Sequence, residues 1–137
     1  MPIATTCIGA YPKPDYIRNT NWNESNADAA EANSARGFEY TLSHPALVTA
    51  EMFDQATRAA ILDQVSCGID IPTDGEQRRE NYIHYHCRHL EGIDFDKLTR
   101  KVHRSGAATA DLPTITGKIA PGGDHFLDAD YAFAQSC

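Results

Sequence analysis

The fold of this chain is indicated most clearly by Ile69-Asp70-Ile71-Pro72-Thr73-Asp74-Gly75-Glu76, which is followed at once by Gln77-Arg78-Arg79-Glu80-Asn81. A short β-branched run ends in a polar turn, and a helical pattern comes next. This is the order of a strand–helix unit in an α/β protein. Functional side chains in such units lie where the strand ends. Asp74 and Glu76 occupy that position, and Gly75 permits a sharp turn between them.

The same turn has a second, purely structural interpretation. Asp74 could cap the helix after the turn, and Glu76 could pair with Arg79 or with the helix dipole. Caps of this kind are common in proteins, so the turn alone does not separate a binding site from a cap.

Composition limits the possible classes of protein. A length of 137 residues suffices for one small domain with a core. The net charge of −7 argues against a nucleic-acid partner or a membrane surface. No apolar run approaches the ~20 residues that span a bilayer, and the N-terminus lacks the basic start of a signal peptide. The cysteines form no CxxC pair, which indicates reduced thiols and a cytoplasmic location; they are Cys7, Cys67, Cys87 and Cys137.

Periodicity predicts an alternation of strands and helices. Residues 3–8 and 69–73 are typical of strands, and residues 49–67 form the clearest helical pattern, with Gly68 at a C-cap position. Further segments are assigned from weaker patterns: a helix over 80–90, helix-like spacing over 95–102, an extended run over 112–119 and a helix from Leu127. Residues 19–45 are expected to form an irregular loop insertion.

Strands that alternate with helices predict a parallel sheet. Only two strands are clear, whereas a closed (β/α)₈ barrel needs about 250 residues. Residues 1–137 are therefore expected to form a single, partial α/β domain.

Two ordered motifs resemble one known family. Thr5-Thr6-Cys7-Ile8-Gly9-Ala10-Tyr11-Pro12-Lys13-Pro14 resembles the opening strand and loop of the cobalamin-independent methionine synthase barrel, whose pattern is Thr-Thr-x-Ile-Gly-Ser-Phe-Pro. The run from Asp63 to Asp70, with Asp74-Gly75-Glu76 and Arg79 after it, is similar to the family's second signature. Residues 90–95 and 112–117 are similar to the family segments that come after that signature. The resemblance covers most of the chain outside 19–45 and is strongest to the single-barrel, methionine synthase II-like members.

The resemblance implies the N-terminal portion of a (β/α)₈ barrel, incomplete in this chain. The family reaction is zinc-dependent methyl transfer from a methyl-folate to the thiol of homocysteine. The implied substrate-binding residues are Ile8, Gly9 and Ala10 together with Glu76, supported by Asp74 and Arg79. Alanine replaces the family's serine at Ala10, which removes one hydroxyl contact.

The remaining family features are absent or altered. The folate-facing Ser-Arg-Cys segment falls near Ala107, Ala108 and Thr109, where neither arginine nor cysteine occurs, and this counts against methyl-folate as the donor. The zinc ligands belong to later strands of the family barrel, so the resemblance implies no zinc ligand in this chain. A second polypeptide or self-association would complete the barrel.

A histidine-rich run is the other candidate for chemistry. Residues 84–89 read His-Tyr-His-Cys-Arg-His, in which His86 and His89 could share one helix face and offer zinc two nitrogen ligands. No second ligand pair lies at zinc-finger spacing, and Arg88 disfavours a cation. We therefore prefer the interpretation that these histidines pack between a helix and the sheet and bind no metal.

Three hypotheses for the function are compatible with these observations. The first is part of a methionine-synthase-like methyltransferase, inactive alone, with a homocysteine-like amino acid thiol as its substrate. The second is a binding or interaction module without chemistry. The third is a related thiol alkyltransferase with a different donor, which would suit Ala10 and the altered residues at 107–109.

Overall fold

A computed structural model describes residues 3–20, 48–103, 105 and 108–137. The predicted loop insertion at 19–45 lies outside these residues except for its first two positions. The described residues form two compact units, one containing residues 3–18, 48–79 and 125–137 and the other containing residues 19–20, 80–103, 105 and 108–124. The described elements are a 3₁₀ helix at Asp15–Thr20, helices α1 (Ala50–Ser66), α2 (His84–Cys87) and α3 (Phe126–Ser136), and strands β1 (Leu90–His103) and β2 (Ala108–Pro121).

Helix α1 confirms the predicted helix at 49–67, and its ends are explained by local chemistry. The Thr49 hydroxyl accepts a hydrogen bond from the Met52 amide at 3.2 Å, which satisfies a donor of the first turn. At the other end, Gly68 has φ +79° and donates to the Val65 carbonyl at 3.0 Å, as a left-handed C-cap does. The hydrophobic core of the first unit packs on this helix; its buried members are Ile17, Val48, Phe53 and Ala56.

Of the parallel strands predicted at 3–8 and 69–73, the described structure forms one parallel bridge, between Thr6 and Ile71, and neither run is a regular strand. The Ile71 amide donates to the Thr5 carbonyl at 3.0 Å. The Thr5 amide and hydroxyl both donate to the Asp70 carboxylate, at 2.8 and 2.9 Å. These hydrogen bonds, the backbone one first, lower the pKa of Asp70 below its usual 3.8 because they stabilise the charged form.

Gln64 holds Thr73, the last residue of the segment at 69–73, through hydrogen bonds. Its side chain is buried, with an exposure of 1%. The amide oxygen accepts from the Thr73 amide at 2.9 Å, and the amide nitrogen donates to the Thr73 carbonyl at 3.0 Å. A side-chain amide from α1 therefore gives Thr73 the two hydrogen bonds that a neighbouring strand would otherwise provide.

Helix α3 confirms the helix predicted from Leu127. Arg78 connects it to α1 within the first unit, because its guanidinium contacts Asp54 of α1 and lies 3.3 Å from Asp130 of α3. The same guanidinium lies over the Phe133 ring, 5.1 Å from the ring centroid. Such stacking adds a cation–π contribution to the ion pairs.

In the second unit, the helix predicted over 80–90 is wrong apart from the four residues of α2. The Asn81 side-chain oxygen accepts from the amides of Ile83 and His84, at 2.8 and 3.1 Å, and so starts the helix later than predicted. The helix ends early because β1 begins at Leu90. Arg88 then closes the turn, 2.7 Å from Glu80 and stacked on the Phe95 ring at 4.2 Å.

The helix-like spacing over 95–102 is also wrong as a helix prediction, because these residues belong to β1. Strands β1 and β2 pair antiparallel with register shifts between Glu91 and Ile93 and between Asp94 and Leu98. The second shift inserts extra residues into β1, which breaks the two-residue alternation and mimics helical spacing. The extended segment predicted at 112–119 is confirmed within β2.

The sheet of the described residues has two antiparallel strands, and the parallel bridge stands apart from it. The chain is therefore a mixed helix and strand structure. No helix in the described ranges combines the length and apolarity needed to cross a bilayer.

Candidate functional site

The loop at residues 8–13 and the turn at residues 74–78 lie side by side. The Tyr11 amide donates to the Gly75 carbonyl at 2.9 Å. Gln77, which is 1% exposed, directs its amide nitrogen to the carbonyls of Tyr11 and Pro12 at 3.2 and 3.4 Å. Lys13 donates from its ammonium group to the carbonyls of Glu76 and Gln77, at 2.8 and 2.7 Å. The structure thus joins two motifs that are more than 60 residues apart in sequence.

The turn itself has an unusual backbone. Gly75 and Glu76 both have positive φ, +65° and +55°. A Cβ at Gly75 would lie 2.7 Å from the Cβ of Tyr11, so only glycine fits against the loop. The Asp74 carboxylate accepts from the Glu76 amide at 2.9 Å and closes the turn. A left-handed glutamate is costly, and such conformations concentrate at functional sites.

Arg79 forms ion pairs with both acidic side chains of the turn. Its guanidinium lies 3.5 Å from the Asp74 carboxylate and 3.4 Å from the Glu76 carboxylate. The Glu76–Arg79 pair of the structural interpretation is therefore present. The cap is different, because Asp74 closes a turn over 75–78 and not the start of a helix. The Glu76 side chain keeps 24% of its surface exposed, so its charge is paired and still accessible.

The loop residues predicted to bind substrate are open to solvent. Ile8 is fully exposed, and Gly9 and Ala10 are exposed as well. The hydrogen bond from Tyr11 to Gly75 places this loop beside the Glu76 turn. Its exposed backbone groups and the Glu76 carboxylate are the kinds of groups that recognise the polar end of an amino acid.

A cleft of about 600 Å³ borders the turn within the first unit. Such a volume falls in the range of small-molecule sites. Asp74 and Arg79 line its polar side, and one face of α3 lines the other. The remaining lining residues are Ile61, Ile71, Pro72, Thr73, Leu127, Asp130, Tyr131, Ala134 and Gln135.

Three residues of this site were not anticipated from the sequence: Tyr11, Lys13 and Gln77. Tyr11 donates its hydroxyl proton to the Asp63 carboxylate of α1, and this hydrogen bond is the main reason that the pKa of Tyr11 rises to about 12. Lys13 and Gln77 contact backbone carbonyls of the opposite motif. The signal available in the sequence was their position, since each lies within or directly beside a recognised motif.

The two candidate zinc ligands of the histidine-rich run, His86 and His89, contact different partners. His86 places Nδ1 2.6 Å from the Tyr82 carbonyl, and His89 pairs through Nδ1 with Asp124. His84 is buried, and its burial, followed by the Arg88 charge, lowers its pKa. The described residues contain no group of three or more histidine, cysteine, aspartate or glutamate side chains that could hold a metal ion. They therefore do not provide the ligand set of a protein zinc site.

The altered folate-facing segment is only partly described. Ala107 lies outside the described residues, and Ala108 and Thr109 are described only as backbone of β2.

Comparisons with known proteins agree on one family. The family model "Cobalamin-independent synthase, Catalytic domain" matches residues 3–136. Methionine synthase of Sulfolobus acidocaldarius is 30% identical over 98% of this chain and 34% of its own length. That of Saccharolobus solfataricus is 27% identical over 98% of this chain and 35% of its own length. The chain thus spans about a third of these relatives.

A solved structure gives the same result. The B12-independent methionine synthase from a Shewanella species, in complex with selenomethionine, matches with a TM-score of 0.64 and 25% identity. The match covers 96% of this chain and 34% of that one. The family model covers nearly the whole chain and includes the motifs at 5–14 and 63–79. The chain therefore belongs to the cobalamin-independent methionine synthase catalytic-domain family.

Proposed function

We propose that this chain is the part of a methionine-synthase-like (β/α)₈ barrel that recognises the amino acid substrate. In this proposal residues 1–137 form one partial domain, the N-terminal portion of the barrel. The reaction of the complete barrel is methyl transfer to the thiol of homocysteine. The extent of the match, about a third of each relative, supports a partial barrel.

The observation that carries the proposal is the contact between loop and turn. The hydrogen bond from the Tyr11 amide to the Gly75 carbonyl, 2.9 Å long, brings the Ile8–Ala10 loop to the Glu76 turn. Active sites of α/β barrels collect at the C-terminal ends of strands, and both segments come shortly after the residues of the Thr6–Ile71 parallel bridge. Glu76 is assigned to the substrate ammonium group, the loop backbone to the carboxylate, and Arg79 and Asp74 to holding Glu76.

The related Shewanella structure supports an amino acid ligand, because it was determined with selenomethionine. That molecule is a close analogue of methionine, the product of the proposed reaction. Zinc in the complete enzyme would supply a thiolate form of homocysteine, since the thiolate is the nucleophile and metal ligand. The described residues hold no suitable ligand set, so none of them is assigned to that step.

The methyl donor is not assigned. Two alternatives, a thiol alkyltransferase with another donor and a binding module without chemistry, gain no support from the comparisons, all of which point to methionine synthases.

A chimaera provides the test. Residues 3–136 would replace the matching third of the Sulfolobus acidocaldarius enzyme, and Glu76→Gln would be introduced into the active product. A charge-assisted hydrogen bond contributes about 1.5–3 kcal/mol. We therefore expect the homocysteine KM to rise at least several-fold with the fold intact, as checked by circular dichroism. Glu51→Gln, an exposed glutamate of α1, is the matched control. An unchanged KM for Glu76→Gln would reject the assigned role.

A further inference from the structure

Lys13 makes an unusual pair of contacts for a lysine in a loop. Its ammonium group is partly buried and donates to two consecutive carbonyls, those of Glu76 at 2.8 Å and Gln77 at 2.7 Å. An ammonium group has three donors and no acceptor, so it can bind two carbonyls of one turn at once. Hydrogen bonds with a charged donor are stronger than neutral ones.

The turn needs such support because of its backbone. Glu76 has φ +55°, a left-handed conformation that is unfavourable for a residue with a Cβ. Strained residues persist only where the surrounding structure determines them from several sides. Here Asp74 holds the Glu76 amide, at 2.9 Å, and Lys13 holds the Glu76 carbonyl. Both ends of the strained residue are thus fixed, which in turn fixes the direction of its side chain.

We propose that Lys13 is the positioning residue for Glu76: by binding the carbonyls of Glu76 and Gln77, it keeps Glu76 left-handed and its carboxylate beside Arg79. The consequence for substrate recognition rests on the proposed function, whereas the positioning itself concerns only this chain. Lys13 contacts backbone and acts through Glu76, so it is not assigned to the reaction.

Amide hydrogen exchange on the 137-residue chain tests the positioning without any substrate. Lys13→Met should speed exchange of the Tyr11 amide, which is bonded to Gly75, and of the Arg79 amide, which is bonded to Glu76, by at least roughly tenfold. The Ile69 amide, bonded to Gln64, is the internal reference and should change little. Lys13→Arg keeps the charge and should restore slow exchange. Lys118→Met, at an exposed lysine of β2, is the matched control.

A double-mutant cycle separates positioning from simple packing. Glycine adopts positive φ without strain, so Glu76→Gly removes the need for support. We expect Lys13→Met to have a clearly smaller effect on Tyr11 exchange in the Glu76→Gly background than in the wild type. Equal effects in both backgrounds, or equal acceleration of Tyr11, Arg79 and Ile69, would overturn the proposal and leave Lys13 a general stabilising residue.

The wild-type chain gives a readout that needs no folded variant. In spectra of ¹⁵N-labelled lysine side chains, the Lys13 ammonium protons should exchange more slowly than those of Lys118, because only the former are held by two carbonyls. Equally fast exchange would contradict the proposal. An unchanged homocysteine KM for Glu76→Gln in the active chimaera would reject the proposed function and leave these measurements unaffected.

Discussion

Tyr11 shows how a single hydrogen bond shifts the pKa of one residue, and with it the pH range in which that residue affects stability. Its hydroxyl donates to the Asp63 carboxylate, and this bond, followed by partial removal from solvent, raises the pKa from 10.0 to about 12. A tyrosine in the unfolded chain ionises near its usual value. The bond therefore stabilises the folded chain fully below about pH 10, and this contribution is lost as the pH rises through 12.

The first prediction at this scale concerns that titration. In an ultraviolet absorbance titration, one tyrosine of the wild-type chain should ionise near pH 12. Asp63→Asn removes the accepting charge, so the late transition should move toward the ordinary tyrosine range, and Tyr11→Phe should abolish it. Asp128→Asn, at an exposed aspartate of α3, should leave it in place. A late transition that survives Tyr11→Phe would assign it to another tyrosine.

At the scale of elements, α1 determines where the second strand segment ends. The Gln64 amide pairs with both backbone groups of Thr73, and Gln64 is almost fully buried. The strand segment therefore passes into the Asp74–Glu76 turn at a fixed position, with α1 as its support. The helix, the strand end and the turn are thus expected to behave as one structural assembly.

Gln64→Leu tests this assembly. Leucine has a similar size but leaves the partly buried Thr73 amide and carbonyl without their Gln64 partner, and a fully buried group left unpaired costs about 1–3 kcal/mol. We expect the free energy of unfolding, measured by urea denaturation, to fall by at least about 2 kcal/mol. Gln55→Leu, at an exposed glutamine of the same helix, should change it by less than about 0.5 kcal/mol. Equal effects of the two substitutions would contradict the role of Gln64.

At the scale of the whole molecule, apolar side chains of the strand segments remain uncovered. Ile3 is 90% exposed, Ile8 100% and Ile71 58%. Strands of parallel sheets are normally covered on both faces, which is why their residues are apolar on both sides. We therefore expect these side chains to take part in an interaction with another chain.

This surface predicts measurable association. The chain should bind a hydrophobic dye and self-associate with rising concentration in sedimentation experiments, and Ile3→Ser combined with Ile71→Thr should reduce both effects. Val102→Thr, at a 67% exposed residue of β1, serves as the control. A monomer that binds no dye at any concentration would show that these side chains are covered in solution.

The sequence by itself determined the features that depend on near neighbours. Thr49 and Gly68 mark the ends of α1, and both signals act within a few residues, through hydrogen bonds of the first and last turns. The parallel contact between Thr6 and Ile71 was also predictable, because β-branched runs and a helical crossover leave few topologies. The family could be recognised from the order and spacing of two motifs.

The tertiary structure alone decided the features that depend on distant partners. Residues 95–102 became a strand because β2 pairs with them across register shifts that hide the alternation. The predicted site residues Ile8, Gly9, Ala10 and Glu76 could be named, but not the residues that fix them. Lys13 and Gln77 act on carbonyls more than 60 residues away. Backbone carbonyls occur at every position, so no pattern of side chains could reveal which of them these residues would bind.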